Sequence, residues 1–189
     1  FWGNMGIWVD KSAQFDSYIE FYLECRFKGD LVLPEELTSI DNHAFYGNEF
    51  STIKFPSTLK KIANCAFANN WRLTGDLILP EGLITIGDQA FYFCNTIESV
   101  EFPSTLQTIQ DYAFAECHGI SKIISRGIEP PAAQASAFYG VPKDNFVVEV
   151  PEKAVIQYKG DPVWGEFRKI SAHYDFSISR NIARALNAE

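Results

Sequence analysis

Apolar and polar positions recur along this chain in a long, regular period. The segments LVLPEELTSIDNHAF (31–45), IKFPSTLKKIANCAF (53–67), LILPEGLITIGDQAF (77–91) and VEFPSTLQTIQDYAF (100–114) are four copies of one motif, and their starts lie 22, 24 and 23 residues apart. Each copy has proline fourth, leucine seventh, isoleucine tenth and Ala-Phe at its end. Repetition at this period predicts a solenoid of stacked coils.

Within each copy the pattern predicts two short extended segments. Motif positions 1 and 3 are apolar and position 2 varies, which indicates a strand with one face inward. The proline ends that strand because it has no N–H to give to a ladder. Leucine and isoleucine at positions 7 and 10 predict the second segment. Each coil should therefore run strand, corner, short strand, one helical turn and return loop.

A polar residue stands two positions before each final Ala-Phe. An Asn or Asp ahead of a compact turn accepts backbone N–H bonds, as an N-cap or Asx-turn does. We therefore expect these side chains to open the helical turn of their own coil. They are Asn42, Asn64, Asp88 and Asp111.

A second period spans two coils. RFKGDLVLPEEL (26–37) matches RLTGDLILPEGL (72–83) at an offset of 46 residues, while the second and fourth copies share FPSTL. The unit of repetition is thus a pair of coils. Gly29-Asp30 and Gly75-Asp76 are interpreted as matched turns entering a strand, since no dense run of carboxylates supports a Ca²⁺ site there.

The ends of the chain depart from the motif. We expect a degenerate coil or cap over residues 1–30, with Trp2, Trp8 and Phe21, and repeats over 31–147, including a fifth, degenerate copy at 123–138. Solenoids need capped ends because an open end exposes the core. A C-terminal cap is expected over 148–170. Residues 171–189 are a tail, a helix at 181–188 or a linker to a missing segment. The cap residues spaced to cover the last coil are Val155, Tyr158, Trp164 and Phe167.

Charge and hydropathy exclude several classes of partner. The chain has 189 residues and a formal net charge of −8, which disfavours nucleic acids and anionic membrane surfaces. It has no run of about eighteen apolar residues, so no membrane-spanning segment is expected. The opening FWGNMGIW lacks a basic segment followed by an apolar one. We therefore expect any signal peptide or lipid anchor to lie outside this sequence.

No catalytic, metal or cofactor site is predicted. The four cysteines, Cys25, Cys65, Cys94 and Cys117, show no metal-ligand spacing. Two disulfides are one interpretation, and buried free thiols are the one we favour, because Cys94 and Cys117 both follow a motif Phe by three residues. The three histidines, His43, His118 and His173, are scattered, so no enzyme is expected.

Motif position 2 supplies the candidate binding surface. Its residues point out of the first strand and should form one row, about 5 Å per step. The row is either a recognition surface, as repeat proteins use, or a set of unconstrained outward positions. The candidates are Val32, Lys54, Ile78, Glu101 and Ile124.

Two further sets of polar and aromatic residues recur in alternate coils. Ser57-Thr58 and Ser104-Thr105 either line a hydroxyl row for a glycan or, as we favour, bond to the backbone at the corner after proline. Three tyrosines follow the motif Phe and either provide aromatic contact area or cover the core. They are Tyr46, Tyr92 and Tyr139.

The string LPEGLITIGDQAFYFC (79–94) resembles the BspA-like family of leucine-rich repeats. VPEKAVIQYKGDPVWGEFRKI (150–170) is similar to the closing cap that often follows those repeats in surface proteins of gut and oral anaerobic bacteria. The resemblance covers roughly residues 20–170 and is specific for fold. It implies a right-handed leucine-rich-repeat solenoid, mostly β with short helical turns, of about six coils of 22–25 residues.

The resemblance also implies a function. Such chains are secreted or cell-surface proteins that resemble adhesins, so we expect a non-enzymatic protein-binding module without cofactors. Its expected partner is an extracellular protein, either host matrix or another cell-surface protein. Two alternatives stay open. One is a glycan-binding module of a nutrient-capture system, with Trp71 and Tyr112 as platforms, and the other is a spacer that displays another domain.

Overall fold

The predicted solenoid is confirmed. A computed structural model describes residues 26–144 and 146–173, which form a parallel β-solenoid of about six coils with little helix. Coils are numbered below by the motif copy that they contain. The strands are β1 (Lys28–Val32), β2 (Ser39–Ile40), β3 (Glu49–Lys54), β4 (Lys61–Ile62), β5 (Gly75–Ile78), β6 (Thr85–Ile86), β7 (Ile97–Phe102), β8 (Thr108–Ile109), β9 (Lys122–Ser125), β10 (Ala132–Ala133), β11 (Val147–Val150) and β12 (Lys169–Ala172).

Two ladders of parallel strands run along the solenoid. The second strands of the coils form one sheet in the order β10-β8-β6-β4-β2. The first strands form a sheet in the order β12-β11-β9-β7-β5 and a separate two-stranded sheet, β1-β3. In coils one to four the first strand ends just before the motif proline, and the backbone N–H of Leu33, directly before Pro34, still donates to the carbonyl of Lys54 in the next coil at 3.1 Å.

The apolar motif positions form columns that fill the core. The motif phenylalanines stack along the axis with nearly parallel rings. The successive centroid distances are 5.2 Å for Phe45–Phe67, 5.4 Å for Phe67–Phe91, 5.2 Å for Phe91–Phe114 and 5.9 Å for Phe114–Phe138. No single coil could bury these rings, so burial by the neighbouring coils holds the stack together.

Hydrogen bonds between side chains join the coils in pairs. Thr52 Oγ1 donates to Asp30 Oδ1 at 2.7 Å, and the equivalent Ser99 Oγ donates to Asp76 Oδ1 at 2.5 Å. Each bond joins an acid of an odd coil to a hydroxyl of the following even coil. The division of the first-strand sheet between β3 and β5 falls between one pair and the next. The 46-residue period therefore corresponds to a hydrogen bond that recurs between coils one and two and between coils three and four.

The glycines of the GD pairs lie at β-bulges rather than at turns that precede a strand. Gly29 is inside β1 and Gly75 begins β5, and the strand register shifts immediately after each. Both adopt positive φ, +87° and +75°, a conformation that only glycine reaches without steric cost.

The expected helical turn is wrong for the described coils. The residues around each Ala-Phe form tight turns with left-handed backbone at two places in each of coils one to four and at one place in coil five. Every second N–H group of the turn points to the next coil, as when Phe67 N donates to Ala90 O at 2.8 Å. The N–H groups between them donate within the turn, as Ala68 N does to Cys65 O at 3.2 Å. The left-handed residues are His43, Cys65, Gln89 and Tyr112 before the Phe, and Gly47, Asn69, Phe93, Glu116 and Gly140 after it.

The Asx side chains bond between coils instead of capping their own. Asn42 Oδ1 accepts the backbone N–H of Asn64 at 3.0 Å, and Asn64 Oδ1 accepts that of Asp88 at 3.1 Å. Asp88 Oδ1 in turn accepts the backbone N–H of Asp111 at 3.2 Å. The residues accept N–H bonds as predicted, but the donors belong to the following coil because no helix start exists to cap.

A compact segment packs against the last coil. It contains helix α1 (Val155–Gly160) and two 3₁₀ turns, Glu152–Ala154 and Trp164–Glu166. The buried Trp164 ring contacts Phe138 at a centroid distance of 5.4 Å, and its Nε1 donates to Pro131 O at 2.9 Å. Tyr158 and Phe167 are also buried. These side chains thus exclude water from the end of the phenylalanine column.

Several predicted features lie outside the described residues. They are Trp2, Trp8, Phe21, Cys25 and the helix at 181–188.

Candidate binding surface

The structure places the residues of motif position 2 on the outer face of the first strands. Strand register aligns Val32 with Lys54 on one sheet. On the other sheet it aligns Ile78 with Glu101 and Glu101 with Ile124. The five residues therefore form two aligned segments that meet at the division between β3 and β5.

Register also adds two residues that the motif did not supply. Glu149 of β11 aligns with Ile124, and Ser171 of β12 aligns with Glu149. The signal for Glu149 was present in the sequence, because it stands between Val148 and Val150 in a period-two segment. Ser171 had no such signal, since β12 lacks the motif.

The N-terminal half of the row is the open half. Val32 and Ile78 are 63% and 57% exposed, although both are β-branched apolar side chains. Lys54 is exposed between them and forms no ion pair within the described ranges 26–144 and 146–173. This trio, Val32, Lys54 and Ile78, is called the open trio below.

The C-terminal half of the row is occupied by internal ion pairs. Arg126 Nε lies 2.6 Å from Glu101 Oε1. Lys122 Nζ and His173 Nδ1 lie 3.0 and 2.7 Å from Glu149 Oε2. Burial raises the pKa of Glu149, but hydrogen bonds from His173 and Lys122 outweigh it, and the pKa is lowered overall. Ile124 is half-buried between these pairs.

A cationic cluster surrounds one carboxylate near the start of the described chain. Arg26, Lys28 and Arg72 place their nitrogens 3.4, 3.3 and 3.1 Å from the Glu49 carboxylate, whose side chain is only 9% exposed. Burial by itself raises the pKa of Glu49. The hydrogen bonds and charges of the three cations, with Lys28 the largest, outweigh burial, so the pKa is lowered overall. The cluster ties coils one to three together at the strand entry.

The two aromatic candidates for a glycan platform belong to different coils: Trp71 follows the second motif copy and Tyr112 is inside the fourth. Trp71 stands under the Arg72 guanidinium, 4.6 Å from its ring centroid. Tyr112 lies at a left-handed turn position and contacts Tyr139 at 6.2 Å between centroids. Of the alternate tyrosines, Tyr46 and Tyr92 are half-buried and Tyr139 is exposed.

The threonine hydroxyls bond to backbone carbonyls, as favoured from the sequence, whereas the serine hydroxyls bond to glutamate carboxylates. Thr58 Oγ1 donates to Leu37 O and Thr105 Oγ1 donates to Leu83 O, each at 2.9 Å. Ser104 donates through its backbone N and its Oγ to the Glu81 carboxylate, both at 3.1 Å. These hydroxyls are therefore committed to the preceding coil and do not form a free row.

Cysteine has a bonding role that sequence reasoning missed. Cys94 and Cys117 are buried free thiols, as expected, whereas Cys65 is only half-buried. Cys94 Sγ donates to Phe67 O of the preceding coil at 3.2 Å, and buried Asn70, in the same slot, donates to that oxygen at 2.8 Å. Burial raises the pKa of Cys94 to about 12, so the thiol stays protonated and able to donate. The sequence did carry a signal for this role, because Asn70, Cys94 and Cys117 all stand three residues after a motif Phe and each can donate a hydrogen bond.

The scattered histidines remain apart in the structure. His118 pairs with Glu116 and His173 with Glu149. Across the described residues, no three or more His, Cys, Asp or Glu side chains converge as metal ligands would. None of the helices in the described part of the chain has the length and apolar character needed to cross a membrane.

Comparison with known proteins agrees with the coil geometry. A family model described as "BspA type Leucine rich repeat region (6 copies)" matches residues 18–143. Among solved structures, the chain is similar to a leucine-rich repeat protein from Bacteroides ovatus at 20% identity and a TM-score of 0.38. That match covers 67% of this chain and 40% of the other, so this chain spans less than half of that protein. No curated protein matches the chain.

Proposed function

The chain belongs to the BspA-type leucine-rich repeat family, and we propose that it acts as a non-enzymatic adhesion module that binds an extracellular protein. The family supports a repeat module of the protein-interaction type on a scaffold that is typically non-catalytic. Fold alone does not set function, so the proposal rests on a surface of this chain.

The open trio is the observation that carries the proposal. Large apolar side chains are normally withdrawn from water, yet Val32 and Ile78 are each more than half exposed on consecutive odd coils. Lys54 stands between them without an ion pair in the described residues, while its counterparts Glu101 and Glu149 are paired. We propose that a partner carboxylate meets Lys54 and that aliphatic side chains of the partner cover the two flanking residues.

The rigidity of the solenoid favours such binding. The second-strand sheet and the hydrogen bonds between successive turns link coils one to five, so little ordering entropy is lost when the trio meets a partner. Pairing of β1 with β3 also fixes the spacing of the Val32 and Lys54 strands at about 4.8 Å. The remaining row residues, Glu101 and Ile124, then form the rim of the surface.

The proposal extends to the cellular location of the protein and to its domain boundaries. We propose a secreted or cell-surface protein, since the family suggests surface or secreted bacterial proteins. We also propose an N-terminal cap over residues 1–30, repeats over 31–147, a closing cap over 148–170 and a tail over 171–189.

Binding of wild-type chain and variants to immobilised extracellular-matrix proteins, measured by interferometry, tests the proposal. The double variant Lys54→Glu/Ile78→Ser should weaken binding at least tenfold, because it reverses the charge and removes an apolar contact. Lys61→Glu is the matched control, since Lys61 is an exposed lysine of the same coil on the second sheet. Equal binding by the double variant and wild type would refute the assigned surface.

A further inference from the structure

We infer that the turn edge of coils three to five is a second binding site, for a linear neutral polysaccharide, separate from the sheet face proposed above. Two pairs of aromatic side chains mark the site. Tyr92 and Phe93 have ring centroids 6.0 Å apart, and Tyr112 and Tyr139 have centroids 6.2 Å apart. These four residues are called the aromatic edge.

Three rings of the aromatic edge are presented to solvent, and the fourth, Tyr92, is half-buried. Phe93, Tyr112 and Tyr139 are 39%, 43% and 61% exposed, whereas the neighbouring motif residues Phe91 and Phe114 are fully buried. Exposed rings that share one edge over three coils are an arrangement that folding alone does not call for.

Phe93 occupies a turn position that is left-handed in coils one to five. Its φ is +60°, in the left-handed region that bulky residues rarely adopt. The equivalent residues of the first and fifth coils are Gly47 and Gly140, which adopt that conformation freely. A bulky aromatic ring is therefore not required by the turn, because glycine fits this position without steric cost.

A carboxylate lies between the two aromatic pairs. Phe93 N donates to Ala115 O at 3.0 Å, and Glu116 N donates to Tyr139 O at 2.8 Å, so Glu116 sits on the coil between Phe93 and Tyr139. His118 Nε2 is 3.0 Å from Glu116 Oε2. A Cβ on Gly140 would lie 3.0 Å from Glu116 Oε1, so this glycine leaves room for the carboxylate.

The chemistry of the edge fits a sugar. The apolar C–H face of a pyranose packs on aromatic rings such as Tyr139, while a sugar hydroxyl donates to the Glu116 carboxylate, which His118 holds in place through its contacts with Glu116 Oε2 and Gly140 O. The site favours a neutral chain because Glu116 and the net charge of −8 repel an anionic one.

The spacing fits a linear polymer better than a protein. Coils advance by about 4.8 Å, which is close to the advance of one sugar in an extended β-1,4-linked chain. Successive sugars can therefore meet successive coils. A stable protein interface buries about 800 Å² per partner, and an edge one residue wide per coil offers little of that area.

Calorimetric titration with the hexasaccharides of β-1,4-linked glucose, mannose and xylose tests the inference. At least one should bind the intact chain, and Phe93→Gly should weaken its binding at least tenfold. The same variant should unfold at a higher temperature than wild type, since it relieves the left-handed backbone. Gln89→Gly is the matched control, because Gln89 is left-handed in the same coil but carries no ring. It should keep saccharide affinity.

Each contrary outcome overturns the inference. Absence of binding by all three saccharides would show that the edge is not such a site. A lower unfolding temperature for Phe93→Gly would show that Phe93 is a packing residue. The Lys54→Glu/Ile78→Ser variant should bind the saccharide normally, so this test and that of the sheet face can fail independently.

Discussion

Phe91 and Phe114 lie with ring centroids 5.2 Å apart and ring planes 9° from parallel, although 23 residues separate them in sequence. At this separation the rings are offset rather than face to face, which is the arrangement that aromatic pairs prefer. Phe91 meets Phe67 on its other side in nearly the same way. One side chain therefore couples three coils.

Truncation of this ring should be among the most destabilising single changes. Phe91→Ala is expected to lower the free energy of unfolding by about 3–5 kcal/mol, because it leaves a cavity between two stacked rings. Urea denaturation measures the loss. Ile156→Ala is the control, since Ile156 is 83% exposed and should change stability by less than about 0.5 kcal/mol. A loss below about 1 kcal/mol for Phe91→Ala would contradict the column.

Asn42, Asn64 and Asp88 each accept a backbone N–H of the following coil, so an amide should be able to replace the carboxylate of Asp88. Asp88→Ala removes the acceptor for the Asp111 N–H and should cost about 1 kcal/mol. Asp88→Asn keeps a side-chain oxygen at that place, as Asn64 does in the preceding coil, and should stay near wild type. Thermal unfolding of both variants separates them. Equal losses would show that the charge, and not the hydrogen bond, is what matters.

The bulge glycine should tolerate no side chain despite having space for one. Nothing lies within 4 Å of a Cβ built on Gly75, but its φ is +75°, so Gly75→Ala should cost about 1–2 kcal/mol through the backbone alone. Gly160, at the end of α1, also has open space and has no positive φ. Gly160→Ala should leave stability unchanged or raise it by up to about 1 kcal/mol. Chemical denaturation of the two variants makes the comparison, and a neutral Gly75→Ala would rule out the bulge geometry.

The lowered pKa of Glu149 predicts a share of the acid sensitivity. Because its folded pKa lies below the ordinary value of 4.5, the ionised carboxylate stabilises the fold above that value. This contribution is lost as the pH falls from about 4.5 through the folded pKa. Glu149→Gln should therefore be less stable than wild type at neutral pH and show a smaller further loss on acidification.

Stability curves measured across this pH window, with Glu152→Gln as an exposed control, check the prediction. The control should follow the wild-type curve at every pH. If Glu149→Gln also kept the full acid-induced loss of wild type, the ion pairs to Lys122 and His173 would not contribute to folding.

The periodicity of the sequence was enough to indicate the fold that the family match also shows. It was enough because each motif position has the same surroundings in every coil. Position 1 and 3 residues such as Leu77 and Leu79 are apolar in every copy because each has the same neighbours in the adjoining coils. Identical environments impose identical residues, so the repeat is readable without coordinates. The pairing of coils was readable for the same reason, since acids such as Asp76 alternate with hydroxyls such as Ser99.

The turns could not be read in this way. The sequence around Ala-Phe is compatible with a helical turn, and Gln89 or Phe93 carries no mark of a left-handed backbone. Those angles arise because the N–H groups of the turn find partners in the next coil, which is a relation between residues far apart in sequence. For the same reason, the Asn and Asp side chains accept N–H groups of the following coil instead of capping a turn of their own.

The sequence by itself determined the architecture, the core columns and the outward row, because each depends on a periodicity of side-chain chemistry. Only the tertiary structure decided which outward residues stand free and which are paired. Lys54 is left open while Glu101 meets Arg126, since ion pairing depends on the distance between side chains of different coils. It also decided that Phe93, Glu116 and Tyr139 share one edge, because stacking brought three different motif copies into contact.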